Sequence, residues 1–238
     1  MNRQLRLQLR RSPDFARETF IVSQANAEAV RALDAWPRWH GGALALIGPA
    51  GSGKTHLAES WGSRVDAVRL AAAARMTDLD GLHGRPVLLE DGDRSDSETL
   101  FHLINMAAEP GGGLLVTSRS APCTWPSPLP DLRSRLNALQ VAELGAPDDE
   151  ILEGVLQKFF RERNIRPTED VFPYLVRRME RSVPVALALV EKLDEASDAE
   201  RRPVSRALAR QILEERDEAA HLLADRLADP GASRDNDG

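Results

Sequence analysis

The chain has 238 residues, 42% of them apolar and 29% charged, and a formal net charge of −6 at pH 7. Such a composition folds around real cores, and its acidic balance argues against a protein held to nucleic acid by a globally basic surface. Cys123 is the single cysteine, so no intrachain disulfide framework exists, and no apolar run approaches the roughly 20 residues that cross a bilayer.

The opening stretch, MNRQLRLQLRRS, alternates Leu5, Leu7 and Leu9 with arginine and glutamine and carries no acid. Read alone it fits an edge strand, an Arg-rich targeting peptide or a short recognition segment. Arg6 and Arg10 interrupt the apolar run that a secretory signal needs. A helix is expected over about 26–35, with Ala29, Val30 and Leu33 on one face. GGALALIG is a short apolar run bounded by glycine, the mark of a buried strand. A helix is expected from Lys54 to Gly62, a second strand at VDAVRL, and a third at RPVLLEDGD. Leu100, Leu103, Ile104 and Ala107 form the stripe of another helix. GGGLLVTSRS and NALQVAEL complete the strands.

Strands alternating with helices predict an α/β fold with a five-stranded parallel sheet. From Asp148 onward only helical periodicity remains, in segments near 148–163, 168–180, 183–196 and 204–217. Asp148 is a natural N-cap for the first of these. The expected organisation is an arm over 1–12, a nucleotide-binding α/β subdomain over 13–146, a small all-helical lid over 147–217, and a polar tail over 218–238 read as disordered.

Residues 48–55, GPAGSGKT, match G-x-x-x-x-G-K-[ST] in full, with a strand before and a helix after. Gly51 and Gly53 permit the backbone conformations that turn successive N–H groups toward one phosphate. The helix that begins at Lys54 adds its partial positive end. The nucleotide set is Gly48, Pro49, Ala50, Gly51, Ser52, Gly53, Lys54, Thr55 and His56, with Lys54 on the β- and γ-phosphates and Thr55 on Mg²⁺. The third strand ends in Glu90 and Asp91, at the edge where ligands bind such sheets. Glu90 would join Thr55 at the Mg²⁺ and Asp91 would polarise a water. A solvated acidic turn is the bland alternative. At the end of the fourth strand, Thr117 or Ser118 would hold that water beside the γ-phosphate, or serve as ordinary strand-end caps.

With those residues in view the chain resembles the AAA+ class of P-loop NTPases, in its DnaA-like branch. PDLRSRLNALQVAEL (130–144) is similar to that branch's arginine-finger box, and makes Arg135 of Ser134-Arg135-Leu136 the finger candidate. Arg135 equally reads as a surface arginine beside Arg133 on a short helix. Phe20 and Asn26 fall where the branch places a segment bordering adenine; they also suit plain core contacts. No extra helical wedge fits between strands two and three, and about twenty residues follow the lid, too few for a helix-turn-helix domain. This combination resembles the Hda family, regulatory inactivators of DnaA, which carry a clamp-binding motif Gln-Leu-x-Leu-x-Leu. Gln4, Leu5, Leu7 and Leu9 match it.

The resemblance implies ADP or ATP with Mg²⁺ as cofactors. Its implied partners are DnaA and the sliding clamp (the beta subunit of DNA polymerase III), with DNA reached only through the clamp. A second copy of the chain is a further candidate partner, and the setting is cytoplasmic, with no membrane. It implies a negative regulator of replication initiation: Arg135, supplied in trans, stimulates hydrolysis of ATP bound to DnaA. The chain departs from the branch at Pro184, which stands where the lid's sensor arginine is expected. A proline side chain touches no phosphate, which implies weak or no ATPase of its own; Arg181 is the nearest substitute. The rival reading is a DNA-binding AAA+ ATPase of helicase-loader or transposition-helper type, marked by salt-dependent DNA affinity.

Overall fold

A computed structural model describes residues 15–228. The chain divides into two compact units, at Ala146 and Pro147. In the first unit the strands are β1 (Ala43–Ile47), β2 (Val68–Leu70), β3 (Pro86–Leu89), β4 (Gly113–Ser118) and β5 (Gln140–Glu143), and the helices are α1 (Ala27–Asp34), α2 (Lys54–Arg64), α3 (Ser97–Ala107) and α4 (Pro130–Ala138). All pairings are parallel, in the order β2-β3-β4-β1-β5.

The apolar runs of β1 and β4 are explained by their place inside the sheet, where every residue of both is buried. A strand covered on both faces has no reason to alternate. Its side chains still do: Ala43, Ala45 and Ile47 join the core against Leu100, Leu103, Ile104 and Leu136. Leu44 and Leu46 join the opposite core, against Leu33, Leu57, Ala58 and Trp61. Here the Trp39 and Trp61 rings stack at 5.2 Å. Two helix layers therefore sandwich one sheet, the two-step period of β1 deciding which side chain meets which layer. Between β2 and β3 the described chain holds one short 3₁₀ turn, Met76–Leu79, so no long insert separates them.

The second unit contains α5 (Asp149–Glu162), α6 (Val171–Arg178), α7 (Val183–Glu200) and α8 (Arg206–Ala228). Its core is made by Leu152, Leu156, Phe160, Leu175, Leu189, Leu193 and Leu208, all nearly inaccessible. Asp148 caps α5, its carboxylate accepting from the Ile151 amide at 2.9 Å. Two helices run longer than their apolar stripes predict. α7 continues past 196 to Glu200, and the tail expected from 218 is helical as far as Ala228. Alanine, leucine and glutamate in those stretches are strong helix formers.

Candidate functional site

The phosphate loop leaves β1 at Ile47 and enters α2 at Lys54. Gly53 takes a left-handed φ of 96° at the N-cap of α2, a conformation costly for any side chain. Gly48 admits no Cβ, since one would lie 2.1 Å from the Leu144 carbonyl oxygen. The loop is thus held from one side by the chain leaving β5. Lys54 Nζ donates to the carbonyls of Gly48 and Pro49, each at 2.8 Å, so the ammonium lies across the mouth of the loop. Ser52 is buried and its Oγ has no hydrogen-bond partner among the described residues. A buried orphan hydroxyl is costly unless a ligand answers it, and a phosphate oxygen would do so. Thr55, next in the loop, is exposed. The residues present fit a nucleotide phosphate with its cation.

β3 brings the acids to the same edge. Glu90 continues the ladder, its amide donating to the Leu70 carbonyl at 3.2 Å. Asp91 turns away in a left-handed conformation, φ 52°, and its amide donates to Thr117 Oγ1 at 3.3 Å. The Lys54 ammonium has its pKa depressed by burial first and by the charge of Arg119 second, while Asp91 opposes both. Asp91 is therefore the carboxylate that faces Lys54 electrostatically. Thr117 and Ser118 are both buried, and both hydroxyls accept from turn amides: Thr117 from Asp91, Ser118 from Ser120 at 3.2 Å. They brace the strand-end turns.

His56 lies one residue beyond the loop in α2. Its ring sits edge-on to Phe15 and Phe20, with centroids at 5.6 and 5.3 Å, and its Nε2 lies 3.2 Å from the Ala16 carbonyl. Phe20 in turn approaches the α-carbon face of Gly53, 3.2 Å from where a Cβ would stand. Asn26 ties this segment down: it donates to the Ile21 carbonyl at 2.9 Å and accepts from the Ser23 amide at 3.0 Å. The aromatic segment thus flanks the loop on the α2 side.

Arg135 is exposed on α4, its guanidinium 5.2 Å from the Phe101 ring centroid of α3. Arg133, two residues earlier, is also exposed, and it donates to the Ser127 carbonyl at 2.9 Å. Among the described residues neither Arg135 nor Arg119 is in an ion pair. In the second unit Pro184 occupies the first turn of α7, the third helix of that unit, where its missing N–H costs nothing. Arg181 donates to the Pro147 carbonyl at 3.1 Å and to Asp149 at 2.5 Å, which ties it to the start of α5. Gln4, Leu5, Leu7 and Leu9 lie outside the described residues.

This five-stranded parallel sheet with its phosphate loop and helical second unit is the fold of the AAA+ P-loop NTPases. No family model matches the sequence. The initiator DnaA of Thermomicrobium roseum is 26% identical, over 88% of this chain and 51% of its own, so the chain spans about half the length of that relative. Solved structures of several proteins share the fold. Domain III of Thermotoga maritima DnaA superposes with a TM-score of 0.70 at 21% identity, covering 86% of this chain and 97% of that one. A DnaA bound to AMPPCP and single-stranded DNA gives 0.63 at 18%, over 80% and 69%. The Holliday junction branch migration motor RuvB of Thermotoga maritima gives 0.65 at 16%, over 84% and 71%. Fold alone does not choose between DnaA and RuvB; in sequence the chain is similar to DnaA. No helix among the described residues is long and apolar enough to cross a membrane.

Proposed function

We propose that this chain is a nucleotide-binding AAA+ regulator, of the regulatory-inactivator type, that acts on ATP-bound DnaA in the cytoplasm. The observation that carries the reading is Arg135: an exposed guanidinium without an ion-pair partner among the described residues, displayed from α4 on an aromatic ring. On a module related to DnaA itself, such a side chain suits insertion into the nucleotide site of a neighbouring DnaA subunit. A cation there offsets the charge that builds on the transferring phosphoryl group. ADP-bound DnaA is the product.

In its own site, Gly48 to Thr55 would hold the phosphates of ADP or ATP, with His56 on the flank that carries Phe20. Thr55 and Glu90 would hold Mg²⁺, and the bound metal would neutralise phosphate charge. Asp91, which faces Lys54, would orient a water. Pro184, matched in sequence to the lid's sensor arginine, carries no cation, and Arg181 is occupied at α5. Both facts favour a protein that keeps its nucleotide over one that turns it over. The Gln4–Leu9 segment, matched to a clamp-binding motif in sequence, would tether the chain to the DNA-loaded clamp, with DNA reached only through it.

The test is single-turnover hydrolysis of ATP on DnaA with DNA-loaded clamp, using wild type and Arg135→Ala. Wild type should accelerate hydrolysis; an arginine finger is worth about 10³–10⁵ in rate, and the variant should lose most of that gain. Equal stimulation by both proteins removes Arg135 from the mechanism. Tight, salt-dependent DNA binding without clamp would favour a DNA-binding AAA+ ATPase of the helicase-loader type instead.

A further inference from the structure

The second unit holds a surface cavity of its own, of about 610 Å³, where α5 ends. That volume is within the range of ligand pockets. A helix stop forms one side of it. Asn164 takes a left-handed φ of 56°, and the Ile165 amide returns to the Phe160 carbonyl at 2.9 Å, the bonding of a helix closed by a left-handed residue. The loop then runs to Thr168, whose amide donates to the Val204 carbonyl at 3.0 Å. The loop is thus fixed at both ends, and the cavity is built before any ligand arrives. Phe160, nearly inaccessible, meets Phe172 edge to face at 5.6 Å. Phe172 and Ile165 are half-buried and line the cavity. Arg161 and Arg166 line it too, and both are exposed. Arg163, between them in sequence, is paired with Glu191 at 2.7 Å. Arg161 and Arg166 are in no ion pair among the described residues. The acid next to Arg161, Glu162, lies 3.9 Å from Lys158 instead. A cation in the last turn of a helix answers the helix's partial negative end without any ligand, and that accounts for Arg161. Arg166 lies past the end of α5, outside that turn.

We propose that this cavity binds a short acidic peptide of a partner protein, one aliphatic or aromatic side chain seated against Phe172 and Ile165, and its carboxylates held by Arg161 and Arg166. Each feature of the cavity asks for one part of that ligand. A half-buried ring beside a half-buried aliphatic chain takes an apolar anchor. Two guanidiniums without acids of their own take carboxylates, to which each presents a matching fork of donors. Gln157 and Asn164 also line the cavity. An amide side chain both donates and accepts, so it meets either group of a peptide bond. Gln157 gives one donor to Glu153 at 3.2 Å and keeps the rest of its capacity. A nucleic-acid strand would engage the same arginines, but one apolar slot with two cations is no track for successive phosphates. Every residue named here belongs to the second unit, so the peptide site depends neither on the nucleotide nor on Arg135.

The experiment is a fluorescence-anisotropy screen of the full chain against short labelled peptides with Phe, Trp, Leu or Ile at the centre and Asp and Glu around it. Matched sets carry Asn and Gln, or Lys, in place of the acids, and labelled oligo-dT is a further arm. The acidic set should bind, and the neutral and basic sets should not. Arg166→Ala should weaken the best acidic peptide about three- to fivefold, the loss expected for an exposed charge pair. Arg161→Glu combined with Arg166→Glu should abolish its binding and capture the lysine set instead. Arg177→Ala removes the same charge from an exposed residue that does not line the cavity, and should leave the affinity unchanged. These arginines are surface residues, so the variants should unfold at the wild-type midpoint. Phe172→Leu, which keeps an apolar side chain against Phe160, should change the order of preference among the four anchors. Failure of every acidic peptide to bind overturns the proposal. So does binding that survives the charge reversal, or that Arg177→Ala weakens as much as Arg166→Ala does. Oligo-dT bound more tightly than any peptide, and lost on charge reversal, makes the cavity a nucleic-acid contact and overturns it as well.

Discussion

At the scale of single residues the candidate site turns on how arginines are spent. Arg133 and Arg181 satisfy backbone carbonyls and stay with the fold. Arg135 and Arg119 make no such bond among the described residues, although all four are exposed. Phe101 gives Arg135 its only described ring contact, and a cation at an exposed site over an aromatic ring gains about 0.5–1 kcal/mol. That is enough to bias the rotamers of a long side chain toward one direction. Phe101→Ala should then lower stimulation of DnaA hydrolysis about two- to fivefold, and Phe101→Tyr should restore it. A normal unfolding midpoint for Phe101→Ala together with full stimulation would deny Phe101 this positioning role. The site was half legible at this scale. The phosphate loop announces itself because four fixed positions impose one backbone geometry. The bond from the Asp91 amide to Thr117 does not, because it depends on the register of two strands far apart in sequence.

Elements carry those residues to their places, and α3 is the clearest case. Its N-cap is Asp96, whose carboxylate accepts from the Thr99 amide at 3.0 Å and from the Thr99 hydroxyl at 3.1 Å. These bonds, the backbone one first, hold the Asp96 pKa below its ordinary value. A depressed carboxylate stabilises the fold above its unfolded pKa, and the contribution is lost as pH falls through the lowered folded value. Asp96→Ala should cost about 0.5–2 kcal/mol in urea unfolding at neutral pH, and the gap from wild type should close as the medium turns acidic. Asp96→Asn, which keeps an acceptor, should lose much less at neutral pH. A gap for Asp96→Ala that persists unchanged into strong acid would show that the cap acts without its charge. Because Phe101 rides on α3, the same cap steadies the stack under Arg135. Strand periods and glycine boundaries made the sheet readable in the sequence, down to the five runs. Helix ends were less so, as α7 and α8 show: α7 runs on to Glu200 and α8 to Ala228, past the bounds expected for them.

For the whole molecule the question is why a chain related to an initiator would carry a short leucine-alternating segment ahead of its core. A regulator that inserts one arginine into another protein gains little area from that contact, so its docking is weak by itself. A second anchor on the clamp converts docking into a local event, governed by effective concentration rather than by affinity. The segment Gln4–Leu9 and Arg135 should therefore be separable. Leu7→Ala should abolish capture by DNA-loaded clamp and remove most clamp-dependent stimulation at low protein concentration. The same variant should match wild type when DnaA hydrolysis is driven by saturating protein without clamp, and its ADP affinity should be unchanged. Arg6→Ala should affect clamp capture much less, since in an extended peptide neighbouring side chains point to opposite sides. Two measurements decide between this arrangement and its rival. If Leu7→Ala impairs clamp-free stimulation as strongly as clamp-dependent stimulation, the segment belongs to the DnaA contact and not to a tether. If Leu7→Ala leaves clamp capture intact, the sequence match to a clamp motif is accidental, and recruitment must come from surfaces of the α/β unit.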